Sequence, residues 1–324
     1  MKNIKRIILY VLLAIIVLII GMLSYVKFML PNVGKAENIK VELTPERIER
    51  GKYLANCVCV CVDCHSTRDW YKYAGPIVDG TLGKGGEEFT KKYGFPGDFY
   101  APNITPFALK DWTDGEILRA ISCGVDKEGK ALFPEMAYLN YGKMDKEDIY
   151  SIIAYLRTMK PVENNVPESK PDFPMSLIMH MIPKKASFTS IPDKNDKVAY
   201  GKYIFNAAAC YSCHTRQVKG KPVAGMDLAG GFEFKMASGG SSYSANITPD
   251  GETGIGSWTE EVFVKRFKAF TDSIYKPAVV NKGDFNTIMP WSMYSNMKEE
   301  DLQALYAYLR TVKPVKNNVV RFKP

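Results

Sequence analysis

Two short stretches, "CVDCH" at residues 61–65 and "CYSCH" at residues 210–214, constrain this 324-residue chain more than anything else in it. Each sets two cysteines three positions apart and follows them at once with a histidine. Residues three and four apart on a helical turn share a face. Two thiols so placed reach the two vinyl groups of one porphyrin, and the adjacent imidazole swings onto the iron from the side that the thioethers anchor. A lone C-x-x-C also serves as a thiol redox pair or as half of a zinc site. The second copy, again with its histidine, decides for covalent haem c, two groups per chain. Cys61, Cys64, Cys210 and Cys213 are the attachment residues, and His65 and His214 the proximal ligands.

The repeat extends well beyond these motifs, which makes it a property of the fold. "GKYLANCVCVCVDCH" from Gly51 answers to "GKYIFNAAACYSCH" from Gly201, and "APNITP" from Ala101 to "SANITP" from Ser244. Trp112-Thr113-Asp114 answers to Trp258-Thr259-Glu260. The interval from Met136 to Tyr155 is 19 residues, as is that from Met289 to Tyr308. Intervals between these blocks vary, as surface loops do between fixed elements.

An electron-carrying haem usually takes a second axial ligand. Bis-histidine ligation at both irons would need two histidines beyond His65 and His214, and only His180 remains. Met136 and Met289 hold matching positions on proline-flanked loops ("FPEM", "IMPW") and are the expected distal ligands. Met144 and Met297 also match, directly before acidic helix starts, and a core role stands open for all four. Methionine ligation raises the reduction potential relative to bis-histidine ligation.

Residues 7–26 carry no charge, and Lys2, Lys5 and Arg6 precede them. Twenty residues at about 1.5 Å each cover a hydrocarbon core of about 30 Å. An uncleaved single-pass anchor is expected, with the rest of the chain outside the cytoplasmic membrane on the periplasmic side; the apolar run is longer than a signal peptide's. The expected organisation is an anchor and juxtamembrane segment (1–41), a first domain (42–160), a linker (161–200) and a second domain (201–324). Each domain reads as all-α. A first helix is expected from the Thr44 cap through "ERIERGKYLAN", and a last helix in "DKEDIYSIIAYLR" with a twin in "KEEDLQALYAYLR". Gly51 and Gly201 would let first and last helices cross closely. The linker is punctuated by prolines, but "FPMSLIMHMIP" within it is too apolar to leave in water. His180, in that stretch, is expected to be a packed or surface residue.

The formal charge of +8 divides among these four segments as +5, −2, 0 and +5. The basicity sits in the membrane segment and second domain, where complementary fields can steer a redox partner; nucleic acid is not implied. Cys57, Cys59 and Cys123 find Ala207, Ala209 and the neighbourhood of Lys268 in the second copy, and so stand outside the shared chemistry. They are buried thiols, or two of them pair. Asn103-Ile-Thr and Asn246-Ile-Thr fit a glycosylation acceptor pattern, but their identical placement points to a structural or propionate-binding loop. Trp112 and Trp258 are read as haem-edge residues, with ordinary core packing as the alternative.

With the paired C-x-x-C-H motifs, the downstream methionines and the "AYLR" helices in hand, the chain resembles the membrane-anchored dihaem cytochromes c, like the cytochrome subunits of periplasmic dehydrogenases. The resemblance covers roughly residues 42–324. It implies the class I cytochrome c fold twice in tandem, and one-electron transfer in place of enzymatic catalysis. The implied partners are a dehydrogenase or quinol-oxidising complex on one side and a cytochrome or terminal oxidase on the other. Where such proteins often carry a histidine and an alanine ahead of the first motif, this chain has Cys57 and Cys59, which alters the setting of the first haem but not its attachment. A dihaem peroxidase is the rival reading; it would leave one iron open, whereas both copies keep a methionine.

Overall fold

The computed structural model describes residues 2–271 and 275–324. The anchor is one helix, Lys2–Met29, whose apolar side chains are exposed almost throughout. An extended segment follows, up to the Thr44 cap, whose hydroxyl accepts from the Arg47 N–H at 3.3 Å. Pro45 occupies the first turn of helix Pro45–Tyr53, where its missing N–H costs nothing.

Each repeat is built on one crossing. The leading helix Pro45–Tyr53 packs on the closing helix Lys146–Thr158, and in the second repeat Lys197–Ala207 packs on Glu299–Leu309. A Cβ on Gly51 would lie 1.7 Å from the Ser151 carbonyl oxygen, and one on Gly201 1.9 Å from that of Ala304. The backbones therefore touch at the glycines, as the sequence led one to expect. Ile149, Ile152, Ile153 and Leu156 form the buried stripe of the first closing helix. Thr113 and Thr259 cap the equivalent middle helices Asp114–Cys123 and Glu260–Lys268, the former in a full capping box with Glu116.

Helices carry the core, but the chain is not purely helical. Antiparallel strands Glu88–Phe89 and Gly97–Tyr100 receive Lys170–Pro171 from beyond the first closing helix. Glu233–Lys235 and Ser241–Tyr243 receive Phe322–Lys323 in the same way, and a small hairpin pairs Gln217–Val218 with Lys221–Pro222. Strands of two to four residues are too short to show an alternating pattern.

The repeats grip each other reciprocally. The Tyr203 hydroxyl donates to Asp148 at 2.6 Å and accepts from the Asp145 N–H at 3.1 Å. Its counterpart Tyr53 donates to Asp301 and accepts from the Lys298 N–H at 3.0 Å. The two aspartates are compensated differently. Arg50 makes a two-pronged bond to Asp148, both arms 2.8 Å, whereas Asp301 receives the Tyr200 hydroxyl at 2.9 Å in the equivalent place. Tyr53→Phe would leave one oxygen of the fully buried Asp301 and the Lys298 N–H without partners. An unsatisfied buried group costs about 1–3 kcal/mol. A thermal midpoint unchanged from the parent would show that this clasp adds nothing.

Candidate haem-binding site

Val60 (φ 47°) and Ala209 (φ 50°) hold the left-handed conformation immediately before the two motifs. Non-glycine residues pay about 1–2 kcal/mol per residue there, and both repeats pay it to start a fresh helical turn at Cys61 and at Cys210. On each turn the cysteines and histidine share one short segment, and all four cysteines are free of disulfides. Burial pushes the Cys61 and Cys210 thiols up to about 12. A thiol redox pair needs the opposite shift.

Both histidines are held alike. The His65 Nδ1 lies 2.7 Å from the Pro102 carbonyl oxygen, and the His214 Nδ1 2.9 Å from that of Ala245. With Nδ1–H donating, the tautomer is fixed and Nε2 keeps its lone pair for a metal. Burial lowers the pKa of both rings, that of His214 to about 4, so the imidazole is neutral at physiological pH.

The two accepting carbonyls directly precede Asn103 and Asn246, and those asparagines explain the N-I-T repeat. The Asn103 amide donates to the Val162 carbonyl and that of Asn246 to the Val315 carbonyl, each at 2.8 Å. Their Oδ1 atoms accept from the backbone N–H and the hydroxyl of Thr105 and Thr248. The loop is thereby tied to the segment after each closing helix and aims its carbonyl at the histidine. Asn103 and Asn246 are buried, which places these amides in a structural role.

The methionine pairs separate by burial. Met144 and Met297 are 0 % and 1 % exposed and belong to the core, Met144 with its sulfur 3.9 Å from that of Cys59. Met136 and Met289 are only half-buried on their loops, each carbonyl accepting at 2.8 Å from the N–H two residues on. The Met289 loop has an outside brace. Asn286, fully buried, accepts from the Ala74 N–H at 2.9 Å and donates to the Trp70 carbonyl at 3.2 Å, while Thr287 Oγ1 accepts from the Met289 N–H at 3.1 Å. A loop of the first repeat thus supports the methionine loop of the second. Nothing in the sequence pattern marked Asn286 or the carbonyls of Pro102 and Ala245, although the latter could have been found as the residue ahead of each N-I-T.

Between leading helix and first motif, Leu54–Val58 forms a π-helical turn closed by the Cys59 N–H on the Leu54 carbonyl at 2.7 Å. This accommodates one extra residue and corrects the cysteine register. The Tyr141 hydroxyl donates to the Cys59 carbonyl at 3.0 Å and the equivalent Tyr294 hydroxyl to the Ala208 carbonyl at 2.9 Å, so Cys59 matches Ala208, not Ala209. Cys57 and Cys59 are free thiols, and Cys123 is buried in a separate small cluster with Val33 and Val125. His180 Nδ1 lies 3.2 Å from the Leu30 carbonyl oxygen, beside the anchor. Trp112 and Trp258 are partly buried and pack on the core.

Residues 198–313 match the cytochrome c family model. The chain is 28% identical over 289 residues to the cytochrome c subunit of the alcohol dehydrogenase (quinone) of Gluconacetobacter polyoxogenes, covering 83% of this chain and 56% of that relative. It is 28% identical to the fructose dehydrogenase cytochrome subunit of Gluconobacter japonicus (82% and 52%), and 23% identical to the gluconate 2-dehydrogenase cytochrome c subunit of Pantoea cypripedii (82% and 59%). The chain spans little more than half the length of these relatives. It carries a cytochrome c domain, with the haem binding and electron transfer that define one, and is homologous to the cytochrome c subunits of dehydrogenases. Each of these relatives is named as the cytochrome subunit of its dehydrogenase.

Proposed function

We propose that the chain is a dihaem cytochrome c carrying single electrons on the outer face of the cytoplasmic membrane. Two tandem class I domains, 42–160 and 201–324, follow the anchor 1–41 and are joined by the linker 161–200. Cys61 and Cys64 hold one haem and Cys210 and Cys213 the other, with His65 and Met136 as axial ligands in the first domain and His214 and Met289 in the second. The bound iron supplies the one-electron chemistry by cycling between ferrous and ferric states. The chain's own part is to keep each imidazole neutral and oriented, to hold each thioether on its loop, and to keep the two domains clasped together. The relatives' names support a dehydrogenase as electron donor, a quinol-oxidising complex being the other source, with a cytochrome or terminal oxidase as acceptor.

The observation that carries this reading is the duplicated histidine–carbonyl bond, made by matching residues in both repeats. The test is the weak near-infrared sulfur-to-iron band of the air-oxidised protein. Met136→Ala and Met289→Ala are each expected to remove part of it and the double variant all of it, with the reduced variants gaining carbon monoxide binding. A band that survives the double change would refute the axial assignment.

A further inference from the structure

The apolar stretch of the linker lies against the outer end of the anchor. Helix Met175–Ile178 and the following 3-10 turn Met179–Met181 both pack on the anchor helix, and His180 reaches the Leu30 carbonyl. Met179 is buried, but Phe173 is 79% exposed, Met181 53% and Ile178 38%. Lys184 and Lys185 follow, also exposed. At the same level the anchor ends in exposed Tyr25 and Phe28, the residue types that settle at a membrane–water boundary.

We infer that residues 173–185 are a membrane-docking surface: Phe173, Ile178 and Met181 enter the boundary between acyl chains and headgroups, and Lys184 and Lys185 meet anionic lipid phosphates. This rests on the reading of Lys2–Met29 as a spanning helix. A chain that leaves such a helix at Leu30 and folds a second segment back onto its end has that segment at headgroup depth. Large apolar side chains exposed there face lipid, which removes them from water as burial in a core would. Adjacent lysines add attraction to an anionic surface. The docking would fix the orientation of the haem-bearing repeats over the bilayer, which a single helix leaves free to swivel.

The test uses the full haem-loaded chain in vesicles of phosphatidylethanolamine and phosphatidylglycerol, with photoreactive benzoylphenylalanine replacing Phe173 or, separately, Met181. Val279, 72% exposed where the two repeats meet, is the control position. Irradiation is expected to give lipid adducts at 173 and 181 in several-fold higher yield than at 279, lower when phosphatidylcholine replaces phosphatidylglycerol. Equal yields at all three positions in a chain that stays in the carbonate-washed pellet would overturn the docking surface alone, as would cross-links to a second copy in place of lipid. Release of the chain by carbonate would overturn the spanning helix itself, and the docking with it.

Discussion

A chain carrying Cys210→Ala and Cys213→Ala is expected to purify with one covalently bound haem in place of two, the loss read by intact mass and by the haem content of acid–organic-extracted protein. Only thiols that share a helical turn with a neutral, Nε2-free histidine are arranged to hold a porphyrin, and the second repeat has one such pair. Cys57→Ala with Cys59→Ala is the matched control and should retain both haems. Cys57 lies in the π-helical turn ahead of Val60, and Cys59, which closes that turn, faces the Met144 sulfur. Loss of a haem from the control, or two haems on the Cys210/Cys213 variant, would show that attachment is distributed otherwise.

Gly201→Ala is expected to be among the most destabilising single methyls that the chain can receive in a helix. The added carbon would sit 1.9 Å from the Ala304 carbonyl oxygen and 2.5 Å from its carbon, both backbone atoms that no rotamer change can move aside. Overpacking costs typically about 1–3 kcal/mol, occasionally more, and a backbone-on-backbone clash belongs at or above the top of that range. Gly51→Ala, facing Ser151, should behave alike. The measurement is denaturant unfolding of the haem-loaded protein, with Gly220→Ala, which meets nothing within 4 Å, as the comparison. Gly220 has a positive φ, so its substitution carries backbone strain alone. Equal losses at 201 and 220 would mean that helix contact is not what Gly201 protects.

Much of this architecture was legible in the residues. The Thr44 cap with Pro45, the apolar stripe of Ile149, Ile152, Ile153 and Leu156, and the glycine at each crossing are local signals that tertiary structure reinforced. Spacing singled out His65 and His214, and the structure holds both rings by the same kind of carbonyl bond. What escaped was set by geometry between distant residues. The carbonyls of Pro102 and Ala245 carry no side-chain signature, and the Tyr53–Asp301 bond joins residues 248 apart. The π-helical turn left one faint trace, since Gly51 and His65 are 14 positions apart but Gly201 and His214 only 13. The cysteines that fill that stretch drew attention to sulfur and away from the extra residue.

The Asn286 brace has a consequence for any attempt to dissect the chain. Severing it between the repeats would not yield two autonomous carriers. The downstream fragment would lose the Trp70–Ala74 backbone that its methionine loop leans on, while the upstream fragment would lose the Tyr203 bonds to Asp145 and Asp148 and the Asn206 amide on the Asn140 carbonyl. Each half thus leans on the other through different contacts, and a property measured on either portion alone would describe a loosened state, not the working one.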